Sequence, residues 1–358
     1  HVICAIQAIE DAMGVKPSEQ TMKLRDLLTI SEKIRSHVAH LYFLALPDYV
    51  GYESAISMLP KYKKEVSKAL AMMRLGNDMV TLLGGREMHV VQATVGGFRK
   101  FPSEDQLNEV RKRLIKARPD ALFTAKFFSG LDVPDFERET EYISLYDGKD
   151  IGLLSGDLVS ADHKFKKKDF KKWISEYCEK DCTCNFVTKK GKSYFTSALA
   201  RLNNAHKHLC PDAKKILKAS KVKLPSNNPF HNNFCQALEL LHYVDKAIKI
   251  CKELKPKKEK LKKFKIKAGH GIGVIEVPRG ILWHEYKLNA KGEITHANIM
   301  TPTCQNLRNM NDDIKIYLET IMHLSEDEIK LEIEKLIRSY DPCFSCSTHF
   351  LKIKWEKN

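Results

Sequence analysis

The feature that most constrains this chain is a group of metal-binding side chains near its C-terminus, formed by Cys343, Cys346 and His349. Asp341 and Pro342 precede the group, and an Asp-Pro pair gives a stiff, non-helical approach that can fix two thiols in place. Thiolates and imidazoles are ligands of soft and borderline transition metals, but two cysteines cannot fill a four-ligand site. The spacing therefore leaves three interpretations open: a metal site that takes ligands from elsewhere, a redox Cys-x-x-Cys, or a pair of buried thiols.

Length and composition describe a globular chain with a large core. Its 358 residues allow one to three domains, and 43% hydrophobic with 29% charged residues is ordinary for a soluble protein. No apolar run approaches the roughly 18 residues of a membrane-spanning helix. We therefore expect no membrane span.

The chain carries a formal net charge of +15, and much of its lysine lies in residues 164–172 and 252–267. Such runs can form a patch that binds nucleic acid or an acidic membrane, or a solvated surface. Glu253, Glu259 and spaced apolar residues interrupt the second run, and no aromatic stacking pattern accompanies the lysines. The solvated surface is the favoured interpretation, so we expect no nucleic-acid partner.

Ten cysteines scattered over a chain of this length do not form the framework of a small disulfide-rich secreted domain. A reducing compartment is the simpler assumption, which predicts a cytoplasmic location. Cys178, Cys182 and Cys184 form a second group of thiols, which is compatible with a zinc or iron–sulfur site. The sequence offers no matching second half with clear spacing, so free thiols in a loop are the favoured interpretation.

Apolar periodicity and capping residues predict a mainly helical chain with small β segments. Ser103 and Ser325 each open a capping box, with Gln106 and Glu328 three residues further on. Helices are predicted at residues 2–13, 17–46, 61–83, 103–117, 230–254, 311–324 and 326–340. The predicted β segments are a hairpin at 281–288 and 294–300, small strands within 122–158, and a strand after 349.

Two histidines and a row of alanines fall within the predicted helices. Ala5, Ala8 and Ala12 give the first helix a small-residue face, which predicts close packing against another helix. His37 and His40 are more simply explained as hydrogen-bonded core histidines than as metal ligands.

The order of five stretches along the chain resembles the large (catalytic) subunit of nickel–iron hydrogenases, most of all the cytosolic multi-subunit group. The last stretch reads Ile-Arg-Ser-Tyr followed by Asp-Pro-Cys-x-x-Cys-x-x-His. In that family a Cys-x-x-Cys-x-x-x-His motif precedes the first helix, so the resemblance makes His1 its histidine and places two cysteines before it. The five stretches are residues 1–14, 36–48, 84–102, 276–286 and 337–349.

The resemblance implies a hydrogenase large-subunit fold around a central helix bundle, with residues 1–358 as a single domain. It implies a nickel ion held by four thiolates, two of which bridge to an iron that carries cyanide and carbon monoxide. Cys343 would be a terminal nickel ligand and Cys346 a bridging one, whereas His349 would bind magnesium or a similar ion. The implied activity is the reversible heterolytic cleavage of dihydrogen.

Further residues around the metals follow from the same resemblance. Arg279 would donate hydrogen bonds to one cyanide, and Thr303 to the other. A guanidinium in a dry pocket gives fixed positive charge where such charge has its greatest effect. The residues that the resemblance places around the metals are Asp48, Pro278, Arg279, Pro302, Thr303 and Asp341.

Electrons must leave such a centre, and this sequence offers no convincing set of cluster ligands for relaying them. The resemblance implies an iron–sulfur small subunit, and a further subunit that passes electrons to NAD(P) or a deazaflavin.

Two other functions are compatible with the sequence. The first is a structural subunit like the quinone-site subunit of respiratory complex I, which has this fold without the metal thiols; retention of Cys343, Cys346 and His349 argues against it. The second is a plain zinc-binding protein.

Overall fold

The protein is described here by a computed structural model covering residues 1–180, 182 and 184–343. It is mainly helical with small sheets, as the sequence predicts. Cys346, His349 and the strand predicted after it lie outside the described residues. The helices are α1 (Val2–Met13), α2 (Glu19–Ala39), α3 (Leu46–Tyr49), α4 (Leu59–Gly84), α5 (Glu104–Ser129), α6 (Ala198–Ala205), α7 (Pro211–Ala219), α8 (His231–Glu253), α9 (Pro302–Ile321) and α10 (Glu326–Ser339).

The strands form small, separate sheets. The three longest strands form an antiparallel sheet in the order β10-β11-β12. The hairpin of β11 and β12 is the one predicted at residues 281–288 and 294–300. The strands are β1 (Ala93–Thr94), β2 (Gly97–Phe98), β3 (Glu141–Tyr142), β4 (Ser144–Tyr146), β5 (Asp157–Val159), β6 (Lys164–Phe165), β7 (Ile174–Tyr177), β8 (Phe186–Lys189), β9 (Tyr194–Phe195), β10 (Gly269–Val277), β11 (Gly280–Leu288) and β12 (Ile294–Met300).

Helix α8 lies at the centre of the helical part. It packs against α2, α5, α6 and α7, and most of its side chains are buried. The main hydrophobic core runs from Ile3 in α1 to Tyr340 after α10, so distant parts of the chain share it. A smaller core lies beneath the β10-β11-β12 sheet around Trp283, whose ring stacks on Phe170 with centroids 4.0 Å apart. None of the helices in the described part of the chain is long and apolar enough to cross a membrane.

The small-residue face of α1 packs against a strand rather than against a helix, which corrects the prediction. Strand β10 carries Gly269, Gly271 and Gly273 at every second position, so all three point to one face of the sheet. A Cβ atom built on Gly271 would lie 2.0 Å from the carbonyl oxygen of Ala8. Only glycine permits the helix backbone to approach the strand this closely.

We therefore expect Gly271→Ala to lower the free energy of unfolding by about 1–3 kcal/mol, because the added methyl must push α1 away from β10. Gly130→Ala is the matched control, since its Cβ would meet nothing closer than 3.6 Å. The control should shift stability by less than about 1 kcal/mol. Denaturant unfolding of both variants measures the difference, and equal stabilities would contradict the close-packing argument.

The predicted helix at 17–46 is in fact three consecutive segments. Helix α2 ends at Ala39, a π-helical segment spans His40–Ala45, and α3 begins at Leu46. Pro47 was expected to end the helix, yet it lies in the first turn of α3, where a missing backbone N–H is tolerated. A π-helical turn inserts one residue without breaking the helix, and local sequence patterns do not reveal it.

Two other helix limits were wrong. Helix α5 does not end near 117 but continues through Pro119 to Ser129, because Ala121 and Ala125 beyond the proline are buried in the core that α5 shares with α8. Helix α9 begins at Pro302 rather than near 311. Its N-cap is Thr301, whose hydroxyl accepts a hydrogen bond from the backbone N–H of Cys304. Strand β10 was missed altogether, since glycine is rare inside strands.

Candidate metal centre

A two-residue turn places the arginine that the sequence singles out. Val277 at the end of β10 pairs with Gly280 at the start of β11, which leaves Pro278 and Arg279 as the whole connection. Gly280 has φ +129°, and a Cβ there would lie 2.7 Å from the carbonyl oxygen of Thr196. The turn is therefore tight, closely packed and restricted to glycine at its last position. Arg279 consequently starts from a rigid backbone.

Arg279 binds the segment that follows α10. Its Nε donates to the backbone oxygen of Asp341 at 2.8 Å and to the Oδ1 atom of the same residue at 3.1 Å. The Asp341 side chain is fully buried, whereas that of Arg279 is 28% exposed. A buried carboxylate paired with a charged donor is much less screened than a surface pair. This contact brings two of the predicted site residues together.

The backbone of Asp341 adopts an uncommon conformation. Its φ is +50°, a left-handed value that residues other than glycine rarely take, and Pro342 follows directly. Its N–H donates to the carbonyl oxygen of Arg338 at 2.9 Å, which closes the end of α10. Such a conformation costs of order 1–3 kcal/mol and persists only where surrounding contacts hold it.

Two residues on the other side of Asp341 complete its surroundings. Gln236 on α8 donates from Nε2 to Asp341 Oδ2 at 3.0 Å. The Gln236 Oε1 atom lies 2.6 Å from Nδ1 of His40, the first residue of the π-helical segment. The second ring nitrogen of His40, Nε2, lies 2.7 Å from the carbonyl oxygen of Arg338. Asp341 is thus hydrogen-bonded by two side chains from separate elements, Arg279 and Gln236, and His40 in turn contacts Gln236.

Thr303 and Cys343 are also adjacent. The backbone N–H of Cys343 donates to Thr303 Oγ1 at 3.3 Å, and the Cys343 side chain is half-buried. Thr303 lies in the first turn of α9 beside Pro302, which suits that position because its missing N–H is not needed there. A hydroxyl that accepts one hydrogen bond can still donate its own hydrogen. The start of α9 thus lies against the thiol-bearing segment.

Asp48 on α3 joins this group through Arg338. The two side chains form an ion pair, in which Asp48 is largely buried and Arg338 is 28% exposed. Burial raises the pKa of Asp48, and the hydrogen bond from Arg338 opposes that rise. Arg338 therefore joins α10 to α3 through its guanidinium and to the π-helical segment through its carbonyl oxygen, which contacts His40.

A buried ionic cluster supports the Pro278-Arg279 turn from below. Arg201 on α6 is fully buried and donates from Nε and Nη2 to both oxygens of Glu239, at 2.6 and 2.7 Å. Its Nη1 donates to Glu276 at 2.8 Å, and its Nη2 to the carbonyl oxygen of Pro278 at 3.0 Å. Burial alone would raise the pKa of Glu239, but the guanidinium holds it well below its usual value. Arg201 therefore fixes the backbone from which Arg279 extends.

Comparison with known proteins identifies the family. Residues 1–75 and 228–349 match the nickel-dependent hydrogenase family, which is more than half of the chain. The chain belongs to that family. Among curated relatives, the sulfhydrogenase 1 alpha subunit of Pyrococcus furiosus is 33% identical over 99% of this chain and 83% of its own length. The sulfhydrogenase 2 alpha subunit of the same organism is 32% identical, over 99% and 84%.

Structure comparison agrees with the sequence. An NAD+-reducing [NiFe]-hydrogenase in its H2-reduced state superposes with a TM-score of 0.86 at 20% identity, over 98% of this chain and 85% of that one. The predicted hydrogenase large-subunit fold is confirmed. Together with the family match, this makes the protein the large subunit of a nickel-dependent hydrogenase, an oxidoreductase.

The predicted site residues of this hydrogenase divide into two sets. The structure brings Arg279 to Asp341, and Thr303 to Cys343, within hydrogen-bond distance. Pro278 and Pro302 shape the backbone beside them, and Asp48 joins through Arg338. Cys346 and His349 lie outside the described residues, so their roles stay predictions. His1 forms a hydrogen bond to none of the described site residues but instead contacts His284 on β11. The Nδ1 atom of His1 lies 3.2 Å from the Nε2 atom of His284.

The donor chemistry around Cys343 fits a thiolate-bound transition metal. Cys343 contributes a half-buried thiol, Thr303 contacts its backbone with a hydroxyl group, and Arg279 binds Asp341 two residues earlier in the chain. Arg279 binds Asp341 through its Nε atom. A guanidinium also carries N–H groups on its two Nη atoms, and these could donate hydrogen bonds to anionic ligands of a metal. A cationic and hydrogen-bonding wall suits a centre whose thiolate ligands carry negative charge.

Three residues with no predicted role hold the predicted residues in place: Arg201, Gln236 and Glu239. A signal for the last two was available. In α8, Asn232, Gln236 and Glu239 recur at helical spacing among apolar residues and are all buried. Polar side chains on a buried helix face must find partners, so such a row indicates an internal hydrogen-bond network.

The two histidines are buried and hydrogen-bonded, as the sequence predicted, whereas the interpretation of the second thiol group as free thiols stays a prediction. His37 is fully buried, with Nε2 2.9 Å from Glu239, and His40 is likewise buried and hydrogen-bonded. Cys178 is exposed, and its thiol donates to Asn185 Oδ1 at 3.2 Å. Within the described residues, these thiols form no group that could hold a metal.

One other group within the described residues has the spacing of a metal site, formed by Glu141, Asp162 and His163. The ammonium of Lys189 lies 2.5 Å from both carboxylate oxygens of Glu141 and 2.8 Å from the His163 ring. Because a lysine cation already neutralises this carboxylate, the group is an ion-pair cluster rather than a cation site.

Proposed function

We propose that this hydrogenase large subunit cleaves dihydrogen heterolytically and reversibly at a nickel–iron centre held by Cys343 and Cys346. The observation that carries this proposal is the Arg279 guanidinium bound to Asp341, two residues before Cys343. When bound, the metal centre supplies the Lewis acidity that heterolytic cleavage of dihydrogen requires. The overall reaction yields two protons and two electrons from each dihydrogen.

The residues of the chain would position and exchange charge around that centre. Arg279 would supply a fixed positive charge that needs no rearrangement during the reaction. The thiolate Sγ of Cys343 can hold a proton, since a thiolate is a base as well as a ligand. Asp341 and Asp48 would present carboxylates on the same side, with Asp341 oriented by Arg279 and Asp48 by Arg338.

The finer composition of the centre is part of the proposal. We propose cyanide and carbon monoxide as iron ligands, with Arg279 and Thr303 as donors to the cyanides, because Arg279 binds Asp341 and Thr303 contacts Cys343, so both bring N–H or O–H groups to this segment. We also propose that His349 binds magnesium or a similar ion. These assignments rest on the resemblance of the motifs and on the donor groups that the structure gathers.

Partners and location complete the proposal. Relatives named as alpha subunits support an iron–sulfur small subunit as the acceptor of the two electrons. A further subunit would pass them to NAD(P) or a deazaflavin, in the cytoplasm and without nucleic acid or a membrane span. We propose one domain for residues 1–358, which the continuous core from Ile3 to Tyr340 supports.

Arg279→Lys is expected to keep the fold and the nickel content but to lower the rate of hydrogen uptake by about 100-fold or more. Lysine keeps the positive charge, but it lacks the planar guanidinium of arginine, which can bind Asp341 and donate hydrogen bonds to the metal centre at the same time. Hydrogen uptake with an artificial electron acceptor measures the effect. Near-normal turnover in a variant with full nickel would remove Arg279 from the mechanism.

The proposed function as a whole is tested by infrared spectroscopy and metal analysis of the purified complex. Bands from iron-bound carbon monoxide and cyanide, stoichiometric nickel and hydrogen uptake are expected together. Zinc in place of nickel would favour a plain zinc-binding protein. A complex that contains neither metal, although it was produced in cells with intact maturation genes, would favour a structural subunit of the complex I type.

A further inference from the structure

Composition does not distinguish the two lysine-rich runs of the chain, but their contacts do. In the run at 164–172, four lysines pair with carboxylates: Lys164, Lys167, Lys171 and Lys172. Residues 255–267, here named the basic strap, join α8 to β10 and contain eight lysines and one glutamate. Within the described residues, none of these eight lysines forms an ion pair, and Glu259 accepts instead from the hydroxyl of Ser18 at 2.6 Å. The fold therefore leaves the positive charge of the basic strap unneutralised.

The basic strap is extended and is attached to the body of the protein. It forms neither helix nor strand. Gln20 on α2 makes two hydrogen bonds to the backbone of Lys257: its Nε2 donates to the carbonyl oxygen at 2.8 Å, and its Oε1 accepts from the N–H at 2.7 Å. Further along, a Cβ built on Gly96, between β1 and β2, would lie 3.2 Å from the Cβ of Lys262. The strap is therefore a surface with defined contacts rather than a free linker.

The basic strap also presents apolar side chains to solvent. Residues 260–268 are all exposed, and Leu261, Phe264 and Ile266 are 45%, 41% and 58% exposed. Each of these three residues has a lysine on both sides in the sequence. Large apolar side chains gathered at a surface gain free energy when they enter an apolar environment. The strap thus combines unpaired positive charge with unburied apolar groups.

The alternation of the two kinds of side chain indicates the chemistry of the partner. Lysine is depleted at the core of protein–protein interfaces, whereas in the strap lysines separate each exposed apolar side chain from the next. Nucleic acid would attract the ammonium groups through its phosphates but would leave Leu261 and Ile266 without an apolar environment. The surface of an anionic bilayer suits both, because apolar side chains enter the acyl boundary while long lysine side chains reach the phosphates.

We propose that the basic strap is a docking site for an anionic phospholipid surface, which would hold the hydrogenase complex peripherally on a membrane. This mode of binding requires no membrane-spanning helix. The strap leads into the first residue of β10, whereas the Pro278-Arg279 turn follows the last, so the two lie about 25–30 Å apart along the strand. Docking is therefore independent of the proposed metal centre, and the proposal does not rest on the proposed function.

Flotation of the purified hydrogenase complex with lipid vesicles tests the proposal. We expect the complex to bind vesicles with about one-third phosphatidylglycerol in phosphatidylcholine, but not vesicles of phosphatidylcholine alone. Raising the salt concentration from about 0.05 M to about 0.5 M should lower binding about 10-fold, because salt screens exposed charges. No binding to the anionic vesicles at low salt, or equal binding to both kinds of vesicle, would overturn the proposal.

A triple serine variant tests the apolar contribution. It leaves the net charge unchanged and should lower binding to anionic vesicles about 10-fold or more, because its side chains gain nothing from the acyl boundary. The substitutions are Leu261→Ser, Phe264→Ser and Ile266→Ser. An unchanged thermal unfolding midpoint confirms that the variant is folded. Full vesicle binding by the folded variant would overturn the proposal.

Two pairs of lysine substitutions test whether the position of the charge matters. Lys263→Gln with Lys265→Gln should lower binding to anionic vesicles about 10-fold or more. The matched control, Lys164→Gln with Lys172→Gln, removes the same charge from exposed lysines that already have carboxylate partners, and it should lower binding less than about 2-fold. Equal losses in the two pairs would show general attraction of a basic protein and overturn the docking site.

Phe264→Trp separates a lipid surface from other polyanions. Compared with the unsubstituted complex, we expect the fluorescence of this variant to shift to shorter wavelength on anionic vesicles, because the introduced side chain leaves water. Polyglutamate and duplex DNA are the comparison probes, and neither should cause the shift. Binding of polyglutamate or DNA without any shift on vesicles would assign the basic strap to an acidic protein or to nucleic acid, and would overturn the proposal.

Discussion

Replacing Cys343 by serine is expected to reduce both nickel content and hydrogen uptake by well over 100-fold. Substitutions of residues that merely orient metal ligands typically cost 10–100-fold, and the loss of a direct thiolate ligand must exceed that. Serine is nearly isosteric but is a poor ligand for a soft metal. Nickel analysis and a hydrogen-uptake assay on the same purified sample measure the two effects together.

Cys178→Ser is the matched control for this substitution. Cys178 is an exposed thiol whose hydrogen bond goes to Asn185, so its loss should change neither nickel content nor turnover. If Cys343→Ser retained nickel and activity close to those of this control, Cys343 would not be a metal ligand and the proposed centre would be wrong.

Replacing Arg201 by methionine is expected to lower the free energy of unfolding by about 3–5 kcal/mol. The substitution leaves the fully buried carboxylates of Glu239 and Glu276 without their guanidinium, and it removes a donor from the Pro278 carbonyl oxygen. Unpaired buried charge is among the costliest defects a fold can carry. Denaturant unfolding of the purified subunit measures the loss.

Arg118 offers a control of the same chemistry at the surface. It also pairs with two carboxylates, Asp212 and Asp245, but its side chain is 31% exposed. Arg118→Met should therefore cost no more than about 1 kcal/mol. Combining Arg201→Met with Glu239→Gln should recover part of the lost stability. Equal effects of the two single substitutions would show that burial of the Arg201 cluster does not determine its contribution.

Features set by local chemistry could be predicted from the sequence. Helix α1 has the predicted limits, 2–13, because Gly14 ends it in a left-handed conformation. The capping boxes at Ser103 and Ser325 form as expected. The grouping of Arg279 with Asp341 and of Thr303 with Cys343 was expected from the family resemblance rather than from local chemistry, and the roles of these residues stay predictions.

Features set by contacts between distant residues could not be predicted. No element was predicted at the glycines of β10, because what requires them is the backbone of α1, more than 250 residues earlier in the chain. Arg201 had no predicted role, since its partners Glu239 and Glu276 come from two other elements. The His40 and Gln236 contact joins residues 196 positions apart, and only the assembled fold shows that both nitrogens of the ring meet acceptors.

The π-helical segment His40–Ala45 determines which way the side chains of the following helix α3 point around the helix axis. In a regular α-helix, residues eight apart are separated by about 80° around the axis, so His40 and Asp48 would face different directions. One inserted residue makes the spacing equivalent to a heptad, whose members differ by only about 20°. His40 and Asp48 therefore contact the same residue, Arg338, one through its carbonyl and the other through its guanidinium. Deleting a single residue here would keep the helix and turn Asp48 away from the metal centre.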